Sequence, residues 1–111
     1  MKIKNFELCR IIGILIDNAI EAAKICNEKI VKVKFEYDEL NKRNIIIVEN
    51  SYSNKEIDID MIFKEGYTSK KEKANHGLGL WKARQIVNLH NNLLLYSKKG
   101  KFFEQRLEIY D

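Results

Sequence analysis

The chain has 111 residues, 45% of them hydrophobic, no proline, five glycines and a formal charge of +4. That is enough for one two-layer core, and nothing in it reads as a linker or low-complexity segment. The positive charge is interleaved with acids instead of forming a basic face, which argues against a nucleic-acid binder, and no apolar run nears the roughly twenty residues that cross a bilayer.

A helix is expected from about Phe6 to Cys26, capped by Asn5 and stopped by Asn27 in a left-handed conformation. Leu8, Ile12, Leu15, Ala19 and Ala22 recur at helical spacing and form its buried stripe. Cys9 and Cys26 lie on this pattern more than four turns apart, out of disulfide reach, and two free thiols suit a reducing cytoplasm. Strict alternation follows, with Val31, Val33, Phe35 and Tyr37 on one face and Lys32, Lys34 and Glu36 on the other, which predicts a half-buried strand. Asp38 to Arg43 turn the chain into Ile45-Ile46-Ile47-Val48, a continuous apolar run suited to a central strand covered on both sides.

Asn50, Ser51, Ser53 and Asn54 favour loop structure. Residues 60–64 form a candidate short helix, and the lysine-rich stretch from Gly66 to Asn75 a loop. A second amphipathic helix is predicted from Leu78 to about His90, burying Leu80, Ala83, Ile86 and Val87. Leu93 to Tyr96 and Phe102 to Tyr110 read as a hairpin around Gly100. The whole is an α/β two-layer sandwich with a mixed, mostly antiparallel sheet.

Two segments carry the chemistry. Asn18 places an amide beside the buried stripe, where an unpartnered amide costs roughly 1–3 kcal/mol. Either it bonds nearby backbone as a core asparagine, or it offers a hard oxygen to Mg²⁺, a metal that takes few protein ligands and completes its shell with water and phosphates. Asp17 and Glu21 beside it suit solvated helix charges. The second segment, Gly77-Leu78-Gly79-Leu80, opens a helix whose unpaired N–H groups attract phosphate and whose glycines let the backbone come close. The alternative is two glycines that only ease a tight turn. Neither a P-loop nor a dinucleotide fingerprint is present. Thr68, Ser69, Lys70 and Lys71 offer hydroxyl and ammonium groups upstream, and Asn50 offers an amide at the end of the apolar strand. His76 and His90 lack the ligand spacing of a closed metal site.

In this order the segments resemble the ATP-binding domain of sensor histidine kinases, in the Bergerat-fold (GHKL) group, and most closely the accessory gene regulator family of peptide quorum-sensing kinases. Leu15 to Ala22 is similar to the N box, Val48 to Ser51 to a reduced first glycine box, Ile62 to Lys70 to the phenylalanine box and lid, and Gly77 to Leu80 to the second glycine box. The resemblance implies an ATP site of Asn18, Glu21, Ala22, Asn50, Lys70, Gly77, Leu78, Gly79 and Leu80, with Asn18 holding Mg²⁺. Asn50 stands where most relatives bond the adenine amino group with an aspartate, and Asn75 where many have glycine. Ile14 occupies the place of the general-base glutamate of hydrolysing relatives, so phosphoryl transfer fits better than hydrolysis.

The same resemblance implies a catalytic domain, residues 1–111, isolated from a larger receptor. Its partners would be a dimerisation domain with the acceptor histidine and a response regulator. The fragment would be monomeric and cytoplasmic, and the full-length protein a homodimer in the cell membrane. Its rivals are a stand-alone anti-sigma-type serine kinase and a nucleotide-free interaction module that keeps the fold.

Overall fold

The structure is a computed structural model that describes residues 4–53 and 74–111. Among these, the chain forms helix α1 (Asn5–Lys24), strands β1 (Val31–Asp38) and β2 (Arg43–Asn50), helix α2 (Ala74–Val87), and strands β3 (Leu93–Lys98) and β4 (Phe103–Tyr110). The sheet is antiparallel at every pairing and ordered β1-β2-β4-β3, so the last strand inserts between the second and third. This is the two-layer α/β sandwich expected. The candidate helix over 60–64 and most of the loop after it lie outside the described residues.

One face of the sheet meets the helices. Ile46 and Val48 of β2, Leu107 of β4 and Leu95 of β3 close a single core with Ile11 and Leu15 of α1. Leu107 sits opposite both Ile46 and Leu95 and is fully buried, which makes it the centre of the sheet's contribution. Alternation then places Asn50, Gln105 and Ser97 on that same face.

The outer face is also partly closed. Ile45 and Ile47 are buried there, opposite Glu108 and Arg106. The Glu108 carboxylate is buried too, and it accepts hydrogen bonds from the hydroxyls of Tyr96 and Tyr110 while pairing with Arg43 at 2.7 Å. Burial alone would push its pKa up; the bonds from Tyr96, Tyr110 and Arg43 outweigh that and hold it below the ordinary carboxylate value.

Several expectations need correcting. Lys4, not Asn5, occupies the position before α1 and makes no side-chain cap; Asn5 is already helical, and the helix ends at Lys24. Asn27 is not a left-handed stop, since Lys42 is the one non-glycine residue with positive φ among the described residues, at 55°. Lys42 completes the β1–β2 turn, where Asp38 Oδ1 accepts from the N–H groups of Leu40 and Asn41 at 3.1 and 3.3 Å. The fully buried stripe of α1 is Ile11, Leu15, Ala19 and Ala23, with Leu8, Ile12 and Ala22 at its flank. β1 alternates as expected but is not half-buried: it is an edge strand, and Phe35 remains 69% exposed. Finally, α2 begins at Ala74 and ends at Val87, earlier at both ends than the pattern suggested.

Candidate functional site

Asn18 lies on α1, half-buried, and its Nδ2 donates to the carbonyl of Ile14 one turn earlier at 2.9 Å. This is the backbone bond of the first alternative, and it does not decide against the second. That bond uses the nitrogen and leaves Oδ1 as the atom able to meet a further partner. Directly across from it stands Gly79 of α2. A Cβ at Gly79 would lie 3.6 Å from both Asn18 Nδ2 and Ile14 Cγ2, so the two helices touch here. The N-box and second-glycine-box segments, distant in sequence, are thus brought into contact.

The glycines stand inside α2 and not ahead of it. Gly77 to Leu80 lie in the first turns of α2, whose first residue, Ala74, borders the residues outside those described. Leu78 lies in the same helix, and Leu80 packs against the core. Arg84, further along, donates from its guanidinium to the carbonyl of Leu95 at 2.8 Å and ties α2 to β3; burial pushes its pKa down.

Glu21 pairs with Lys24 at 3.3 Å, one turn further along α1. Ala22 is half-buried beside the core stripe. Asn50 is 2% exposed at the end of β2, with Nδ2 donating to the carbonyl of Ser51 at 2.8 Å, which again leaves the amide oxygen as the acceptor. This end of the sheet is fixed by Ser51, whose N–H bonds the carbonyl of Ile30 at 2.9 Å. It is closed by Tyr52, whose ring lies 5.7 Å from that of Phe103 and whose hydroxyl donates to Gly100 at 2.8 Å. Lys70 lies outside the described residues.

A cavity of about 390 Å³ opens between the helices beside the Asn18–Gly79 contact, lined by Arg10, Gly13, Ile14 and Asp17 of α1 and by Gly79 and Lys82 of α2. Gly13 sits mid-helix, where glycine costs about 1 kcal/mol relative to alanine, yet a Cβ there would meet nothing within 4 Å. Arg10, Asp17 and Lys82 make no ion pair among the described residues. The sequence pattern did not single out Arg10, Gly13 or Lys82. It also missed Ser97 and Gln105, bonded at 2.7 Å on the helix-facing side of the sheet. Those two were detectable in principle, as polar residues continuing the apolar alternation of Leu93-Leu95 and Leu107-Ile109.

His90 meets Glu7 at 3.0 Å, and His76 falls in the first turn of α2 with its side chain outside the described residues. No helix among the described residues is long and apolar enough to cross a membrane.

The nucleotide-free catalytic domain of histidine kinase ThkA is similar, with a TM-score of 0.73 and 21% identity over 96% of this chain and 68% of that one. A second nucleotide-free form of that domain gives 0.73 and 22% identity, over 95% and 66%. A mycobacterial sensor histidine kinase, MprB, gives 0.73 and 16% identity, over 96% and 71%. At these identities the likeness is one of fold. None of the curated protein sequences matches the chain. The sequence pattern of the GHKL domain matches residues 3–110, nearly end to end, and the chain therefore belongs to the GHKL domain family.

Proposed function

We propose that this domain binds Mg-ATP and supplies the γ-phosphoryl group to a histidine on a separate dimerisation domain, as the catalytic part of a two-component sensor histidine kinase. The observation that carries this is the meeting of Asn18 with Gly79 beside a cavity, within a family-wide fold. The residues suit the ligand. Among the described residues no group of three or more His, Cys, Asp or Glu side chains could hold a metal. Asn18 Oδ1 would be the protein oxygen for a divalent ion that completes its shell with the ligand's phosphates and water, which is the habit of Mg²⁺.

Asn50 Oδ1 accepts from the adenine amino group at one end of the cleft. The N–H donors at the start of α2 and Lys70 serve the phosphates, and Asn18 serves the metal. Mg²⁺ held at Asn18 would supply charge neutralisation at the phosphate oxygens. The chain's part in transfer is positioning and electrostatics: the acceptor nitrogen attacks the γ-phosphorus in line as the bond to the leaving ADP oxygen breaks. Apolar Ile14 cannot activate water, so hydrolysis stays slow beside transfer. The peptide quorum-sensing kinases are the subfamily whose motifs fit, which implies a membrane-anchored homodimer acting on a response regulator.

Titration with a fluorescent ATP analogue in Mg²⁺ tests this. Saturable binding is expected, together with phosphorylation of a supplied acceptor domain and none of the chain itself. Absence of binding at millimolar nucleotide would remove the function.

A further inference from the structure

We infer that the cavity at Gly13 is a terminal-phosphate subsite, in which Arg10 and Lys82 make the domain prefer a nucleoside triphosphate over a diphosphate. This rests on the nucleotide-binding function proposed above and assigns residues that the family motifs do not include.

The layout along α1 carries the inference. Asn50 ends β2 beside Val31, at the end of the sheet to which the chain returns shortly after the C-terminus of α1. From that end toward the helix N-terminus come Ala22, then Asn18, then Asp17, Ile14, Gly13 and Arg10. A nucleotide with its base at Asn50 and its metal at Asn18 therefore points its last phosphate at Gly13 and Arg10. Arg10 lies about 12 Å beyond Asn18 along the helix axis, within reach of a long guanidinium side chain.

The cavity is suited to receive it. Arg10 and Lys82 line it from opposite helices, and among the described residues neither is paired with a carboxylate. With Asp17 in the same wall, the three charges sum to a net positive site. Gly13 is the second observation. Glycine is the poorest helix former after proline, and no neighbour forbids a side chain there, so packing does not account for it. A requirement for empty space does. A phosphate held by two cations in such a pocket makes charge-assisted bonds that a diphosphate, one group shorter, cannot reach.

The test compares fluorescent ATP and ADP analogues in Mg²⁺ on wild type, the double variant Arg10→Gln/Lys82→Gln, and Gly13→Leu. Both variants are expected to lose at least tenfold in ATP affinity while ADP affinity stays within twofold. Gly13→Ala should raise the melting temperature of the free chain, as a helix substitution without a clash, and Arg10→Lys should restore most of the preference. ATP and ADP weakening in parallel, or neither weakening, would overturn the subsite while leaving nucleotide binding intact. A wild type that binds neither nucleotide would remove the binding function and the subsite with it.

Discussion

Replacing Asn18 with alanine separates a ligand-binding role from a structural one. In the folded chain the side chain makes one part-buried hydrogen bond, to the Ile14 carbonyl at 2.9 Å, worth about 1 kcal/mol net. That carbonyl keeps its ordinary helical partner when the amide goes, so no buried acceptor is orphaned. Alanine meanwhile recovers about 0.5 kcal/mol of helix propensity. The two nearly cancel, and the apo melting temperature should move by no more than about 5 °C. Ligand binding should behave quite differently. Losing an oxygen contact to a charged group costs about 1.5–3 kcal/mol, which corresponds to a Kd for Mg-ATP weaker by about 10- to 150-fold. Melting followed by circular dichroism and fluorescent-ATP titration, each with and without Mg²⁺, measures both. Unchanged Mg-ATP affinity would refute the ligand role. A collapse of the apo melting temperature would show that the amide is chiefly structural.

Leu107→Ala, at the fully buried meeting of β2, β3 and β4, should cost about 2–5 kcal/mol by urea unfolding, a large share of the stability of a domain this size. Asn50→Asp restores the charge most relatives carry, but it puts a carboxylate oxygen where Nδ2 now donates to Ser51. Stability should fall by about 1–3 kcal/mol at neutral pH. Glu108 titrates below its ordinary value of 4.5 in the folded chain, so its contribution to stability is present above that pH and is lost as the pH falls toward the folded-state value. Glu108→Gln should therefore lower stability at pH 7 and flatten the acid limb of unfolding. An acid limb identical to wild type would show that the carboxylate's bonds to Tyr96, Tyr110 and Arg43 do not matter.

Much of the fold can be read from local pattern. The long amphipathic helix, the alternation at Val31–Tyr37 and the unbroken apolar run at Ile45–Val48 each state their element, because one face or both must leave water. What periodicity does not encode is which element supplies the cover. β1 has a clear apolar face, yet it lies at the sheet edge away from the core, because burial there depends on long-range partners. The insertion of β4 between β2 and β3 is a pairing choice invisible to local pattern. At the site, Asn18 was legible as a polar residue beside an apolar stripe. The start of α2 was not, since glycine marks either a helix entrance or a tolerated defect within one. Arg10, Gly13 and Lys82 look like ordinary surface residues until two helices bring them around one cavity.

Chemical-shift mapping of the labelled chain with Mg²⁺ and a non-hydrolysable ATP analogue bears most directly on the convergence of distant segments around a triphosphate. The largest changes should fall on the Asn18 and Asn50 side-chain amides and on Gly13 and Gly79, with the outer sheet face at Tyr96 and Glu108 unmoved. Perturbation confined to that outer face, or none at millimolar ligand, would contradict it.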